Sequence, residues 1–126
     1  MTKAPDLNDF PVSPHFNLRE FECRCCGCVK LSGKLILMLE EFRSALGRPV
    51  VITSGYRCPR HNAAVGGARR SLHLTGRAAD MSYRPQNDSS EAIEGEMLAL
   101  AQISSRIGFY EFLPNLSKNY IHFSCK

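Results

Sequence analysis

Only four histidines occur in the 126 residues, and two of them stand where they could meet one carboxylate. His73 and Asp80 lie in the run Ser71-Leu72-His73-Leu74-Thr75-Gly76-Arg77-Ala78-Ala79-Asp80. A glycine turn there leads into a strand, so the two side chains can converge if the turn folds back. His122 falls in Tyr120-Ile121-His122-Phe123, where alternation puts Tyr120, His122 and Ser124 on one face and Ile121 and Phe123 on the other. Two imidazoles and one carboxylate leave a fourth tetrahedral position for water, the pattern of a catalytic rather than a structural zinc. The pKa of such a water falls towards ~7. On spacing alone, a loop histidine and a strand histidine are more often surface or core residues than ligands, so both readings stand at this point.

The cysteines are a second concentration of chemistry. Six occur, four of them in Cys23-x-Cys25-Cys26-x-Cys28, with Cys58 and Cys125 apart. A thiolate zinc site usually pairs one CxxC with a second ligand pair a dozen or more residues on. Cys25 and Cys28 have the CxxC spacing, but no second CxxC or HxxxH follows, so a structural metal is not the expectation. Cys58 or Cys125 could approach the cluster in space and form disulfides, yet without an export signal reduced thiols are the default.

The elements that must position these groups follow from pattern. Residues 1–16 hold three prolines and read as an extended leader, and 17–126 as a single domain. Asn17 caps a short helix, with Glu20 completing a capping box and Leu18 and Phe21 facing inward. Ser32 opens a helix over 33–46, striped by Leu35, Leu39, Phe42 and Leu46 and stopped by Gly47. Residues 49–54 and 78–83 read as strands. Between them runs a long loop, 55–76, with a short helix after Pro59; a loop of that length in so small a domain points to function. A helix over 90–104, with Ile93, Met97, Leu100 and Ala101 inward, precedes a strand at Ile107–Tyr110. A turn at Leu113–Lys118 and a terminal strand from Asn119 to Cys125 complete an α+β architecture, a small, mainly antiparallel sheet packed with helices.

Whole-chain properties narrow the classes. No apolar run approaches the ~18 residues of a membrane span. The start, MTKAPDLNDFPVSPHF, lacks a secretory apolar stretch, so lysis, a holin or particle assembly is expected to carry the protein to any site outside the cytoplasm. The net charge is +4, with Arg57, Arg60, Arg69, Arg70 and Arg77 close together. An anionic partner such as nucleic acid or the cell wall would suit that excess, although a solvated basic face is the plainer reading for most of these arginines. Trp is absent and no stacked aromatics accompany the arginines, which argues against nucleic-acid readout.

Three segments together carry a resemblance: Ser54-Gly55-Tyr56-Arg57, His61-Asn62-Ala63-Ala64-Val65-Gly66-Gly67, and Ser71-x-His73-x-x-Gly76-x-Ala78-x-Asp80. They resemble the signature of the LAS-type zinc metallopeptidases, the D-alanyl-D-alanine carboxypeptidases and L-alanyl-D-glutamate endopeptidases of bacteria and phages. The likeness covers about residues 13 to 124. The stretch Ser13-Pro14-His15-Phe16-Asn17-Leu18-x-Glu20-Phe21 is similar to the short phage-associated members. The resemblance implies a hedgehog-like fold and one zinc per chain on His73, Asp80 and His122. It gives Arg57 the task of polarising the scissile carbonyl or holding the substrate carboxylate, and makes Ser71 a substrate contact. Ser71 has an equal claim as the cap of the turn that presents His73. Gly66 and Gly67 are expected at positive φ, and His61 is expected to be structural.

The likeness is incomplete at the general base, the group that must take a proton from water and pass it to the leaving amine. Many relatives carry an acid three residues before the last histidine, where this chain has Asn119. Short members often read His-x-Asp, where Ser124 stands here, and a hedgehog-like alignment puts Leu116 in a glutamate's place. Glu111, at the end of the preceding strand, is the nearest acid, and would reach the site if the following turn folds it over. Two readings follow: a zinc hydrolase of peptidoglycan stem peptides, expected as a monomer, or a zinc-stabilised structural or wall-binding module without catalysis. A carboxylate within ~5 Å of the water would favour the first.

Overall fold

The computed structural model describes residues 7–126, so part of the leader, residues 1–6, lies outside it. Two strands, β1 (Pro11–Ser13) and β2 (Phe16–Asn17), pair antiparallel. The turn between them is held to the first long helix by Glu40, whose carboxylate accepts from Ser13 Oγ (2.5 Å) and from the His15 backbone N–H (2.7 Å). A 3-10 turn, Leu18–Phe21, follows with the expected capping box: the Asn17 N–H donates to Glu20 Oε2 at 2.7 Å. Phe21 is fully buried.

Helix α1 (Gly33–Leu46) has the anticipated bounds, with Ser32 capping its start and Gly47 its end. Its buried stripe of Leu35, Ile36, Met38, Leu39 and Phe42 forms one wall of the core. The other wall is a four-stranded antiparallel sheet in the order β3 (Ile52–Ser54), β4 (Ala78–Ser82), β6 (Tyr120–Ser124), β5 (Glu111–Asn115). Ala79, Met81, Ile121 and Phe123 are buried in the core, where Phe123 packs edge-on against Phe42 at 4.8 Å between ring centroids. Alternation therefore sends Asp80 and His122, direct register partners, to the opposite face of the two central strands.

The third strand differs from expectation. Helix α3 runs from Ser90 to Ile107 and ends at Gly108, so Ile107–Tyr110 is not a strand. The stripe of Met97, Leu100, Ser104 and Ile107 continues helical spacing for another turn, and packing against α1 overrides the β-branched character of Ile107. The strand begins instead at Glu111 and includes Pro114, whose missing N–H is tolerated because β5 is an edge. Only 116–118 of the expected turn remains, as one 3-10 turn. In the long loop, α2 (Pro59–Ala64) and a 3-10 turn, Leu72–Thr75, supply local order. No helix among the described residues is long and apolar enough to cross a membrane.

Candidate metal centre

His73 is delivered by the 3-10 turn. Ser71 caps it, accepting from the His73 N–H at 3.2 Å, and Gly76 closes it in the left-handed region at φ 72°. Gly76 is pressed against the segment at Lys30: a Cβ there would lie 2.3 Å from the Lys30 carbonyl oxygen. The Gly76 carbonyl in turn accepts from the Ser32 N–H at 2.9 Å. That contact locks the turn onto the start of α1, and so places His73 relative to the core.

The His73 ring is 2 % exposed, and its Nδ1 lies 2.7 Å from the Gly55 carbonyl oxygen. A carbonyl only accepts, so Nδ1 carries the proton and Nε2 presents a lone pair. Nε2 is buried without a hydrogen-bond partner and sits 3.3 Å from Asp80 Oδ1. The same carboxylate oxygen is 2.9 Å from His122 Nδ1. On its far side His122 places Nε2 3.0 Å from Glu111 Oε1, which also accepts from Ser124 Oγ at 2.7 Å. One donor atom each from His73, Asp80 and His122 lies within 4.8 Å of the others.

Electrostatics follow from this crowding. Burial would raise the Asp80 pKa, but the hydrogen bond with His122 and the nearby His73 imidazole outweigh it and bring the value to about 2. Burial would lower that of His122, but its bonds to Asp80 and Glu111 reverse the sign and raise it. Burial likewise raises Glu111 less than Ser124 and His122 lower it, so it stays ionised.

The donor set fits a divalent cation. With Nδ1 of His73 and Nε2 of His122 each bonded to an acceptor, both remaining nitrogens aim at one oxygen of Asp80. Only a cation or extra protons can occupy that convergence. Two imidazole nitrogens and one carboxylate oxygen are a borderline-soft set suited to zinc, and the outer partners, Gly55 and Glu111, fix both rings as metal-ligating histidines require.

Arg57 lines the same cleft, of about 790 Å³, with Arg70, Arg77, Tyr110, Leu113 and Tyr120. Its guanidinium reaches Asp80 Oδ2 (3.3 Å), Ser54 Oγ (3.4 Å) and Asn62 Oδ1 (3.3 Å). Buried Asn62 is a positioning residue that the sequence motif contained without disclosing its task; its Nδ2 donates to the Ala68 carbonyl at 2.9 Å. Gly67 exists for that contact, since a Cβ would lie 2.1 Å from Asn62 Oδ1; of the glycine pair only Gly66 has positive φ. Glu111 reaches His122 by a different route from the expected folded-over turn. It opens β5, directly opposite Ser124 in the antiparallel register.

A candidate metal-binding cluster lining an arginine-rich cleft is the arrangement of a zinc-peptidase-like protein. The sequence profile of the Peptidase M15 family matches residues 14–124, and the chain belongs to that family. It is also similar to the zinc D-Ala-D-Ala carboxypeptidase of Streptomyces albus G, with 36% identity over 76 residues, 60% of this chain. The match takes in 26% of that relative's length.

Proposed function

We propose that the protein is a zinc-dependent hydrolase of peptidoglycan stem peptides, acting as a D-Ala-D-Ala carboxypeptidase or an L,D-endopeptidase, with one zinc per chain on His73, Asp80 and His122. The observation that carries this is the convergence of two imidazole lone pairs on one carboxylate oxygen in a member of a peptidase family. The substrate class rests on the activity for which the Streptomyces relative is named and on the basic cleft, which suits peptides carrying carboxylates. Bound zinc would supply Lewis acidity toward a carbonyl and a water activated near neutral pH.

The chain's own residues would do the rest. Arg57, held from three sides, presents its guanidinium to the cleft to stabilise a carbonyl oxygen or hold a substrate carboxylate. Ser71 caps the His73 turn and lines the cleft, where it can touch substrate. With Asp80 committed to the metal, Glu111 is the carboxylate left among the described residues of the cleft lining. Where short relatives carry an aspartate, Ser124 hydrogen-bonds the Glu111 carboxylate across the strand pair, so the acid is supplied from the neighbouring strand. Glu111 would orient His122 through Nε2, and with Oε1 held by that ring and by Ser124 Oγ it would take the proton in the reaction through Oε2.

Purified peptidoglycan is the test substrate. Release of D-alanine or cleaved stem peptides, lost on chelation and restored by zinc, is the expected result. Absence of turnover on walls of several chemotypes with zinc present would overturn catalysis and leave a wall-binding module.

A further inference from the structure

The cysteines form a second constellation, well separated in sequence from the histidine cluster's ligands. Cys23, Cys26 and Cys58 bring their sulfurs within 4.8 Å of one another. Cys23 and Cys26 are themselves a Cys-x-x-Cys pair followed by Gly27, which adopts φ 74°. The loop closes on itself through two backbone bonds, Gly27 N–H to the Cys23 carbonyl (2.8 Å) and Cys23 N–H to the Cys28 carbonyl (2.7 Å). The third sulfur comes from Cys58, the N-cap of α2. Cys125 stays away from the group, near Ser32 at 3.8 Å.

N–H donors reach two of these three sulfurs and that of the neighbouring Cys25. The Cys58 N–H donates to Cys23 Sγ and the His61 N–H to Cys58 Sγ, both at 3.4 Å, while Arg60 donates to Cys25 Sγ at 3.2 Å. A tetrahedral zinc with Zn–S near ~2.3 Å needs sulfurs ~3.8 Å apart, so a small contraction of the group would seat the ion. A disulfide would use two sulfurs and strand the third. No disulfide joins any of the six cysteines.

We propose that Cys23, Cys26 and Cys58 hold a second, structural zinc, with an exposed cysteine of the same loop, Cys25 or Cys28, completing the tetrahedron. Its place in the fold gives it a task. Cys58 follows Arg57 directly, and Tyr56 N–H already bonds the Phe21 carbonyl at 2.8 Å. A metal here staples the 23–28 loop to the segment that carries Arg57 and the Gly55 carbonyl on which His73 rests. The two sites share no ligand, and loss of this one should loosen Arg57 without removing a ligand of the histidine cluster.

The test is metal content and cobalt spectroscopy on the full chain, purified and dialysed under reducing conditions. Two metal ions per chain are expected, one of them released by a mercurial thiol reagent. Cobalt-substituted protein should show a thiolate-to-metal charge-transfer band that survives in His122→Ala and vanishes in Cys58→Ser. The wild-type measurements stand even if the Cys58 variant folds poorly. Cobalt-loaded wild type without a thiolate band, no metal released by the mercurial, or recovery of the untreated protein with a Cys23–Cys58 disulfide in place of metal, would overturn the proposal.

Discussion

At the residue scale, Glu111 and Arg57 separate binding from chemistry. Glutamine at 111 can still accept from His122 Nε2 and Ser124 Oγ, whose contacts with Glu111 measure 3.0 and 2.7 Å, but it cannot take a proton. Glu111→Gln should therefore keep its zinc and lose turnover by a factor of about 100 or more. Glu111→Ala should in addition weaken metal binding by roughly 10- to 100-fold, because the ring of His122 loses its orienting partner. Unchanged turnover in Glu111→Gln, measured beside metal content, would leave this carboxylate with the orienting task alone. Arg57→Ala should retain one zinc at the histidine cluster while turnover falls about 100-fold, since its expected contact is with substrate charge. Loss of that zinc in the variant would mean that the bond to Asp80 matters more to the metal than to the reaction.

At the element scale, the 3-10 turn that carries His73 is the sensitive part. A side chain at Gly76 meets both the positive φ and the Lys30 carbonyl, 2.3 Å from the added Cβ. Gly76→Ala should cost about 2 kcal/mol or more in denaturant unfolding and weaken metal binding with it; wild-type stability and affinity would show that the turn adapts. The same turn shows what was legible in the sequence. Ser71, Gly76 and Asp80 form a motif whose spacing allowed a fold-back without requiring it. The caps of α1 and the capping box at Asn17 are equally local, and they appear where read. The start of β5 was not legible, because Ile107 satisfies both helix and strand patterns and Pro114 imitates a turn. Only packing of α3 on α1 and the edge position of β5 decide between them. Glu111 was placed at the wrong end of its strand for that reason, and its contact with His122 depends on a register that no local pattern encodes. The Cys58 approach to Cys23 is likewise long-range, spanning α1 and β3.

At the scale of the whole molecule, the proposed zinc ties together the 3-10 turn at 72–75, β4 and β6, so it should stabilise the native state against the unfolded chain. Free zinc at about 100 times its Kd adds roughly 2.7 kcal/mol through mass action, which should appear as a rise in Tm that chelation reverses. An equal rise in His73→Ala would assign the effect to another site, the cysteine cluster first. The chain covers only about a quarter of the Streptomyces carboxypeptidase, so whether it cleaves a peptide, and which, is a matter for the wall assays. The central claim is the metal itself, and anomalous X-ray scattering at the zinc edge from zinc-supplemented crystals tests it most directly. A peak bounded by His73 Nε2, Asp80 Oδ1 and His122 Nδ1, about 2.0–2.2 Å from each, is expected. A map with no peak at that point, or with its only peak among the cysteines, would contradict it.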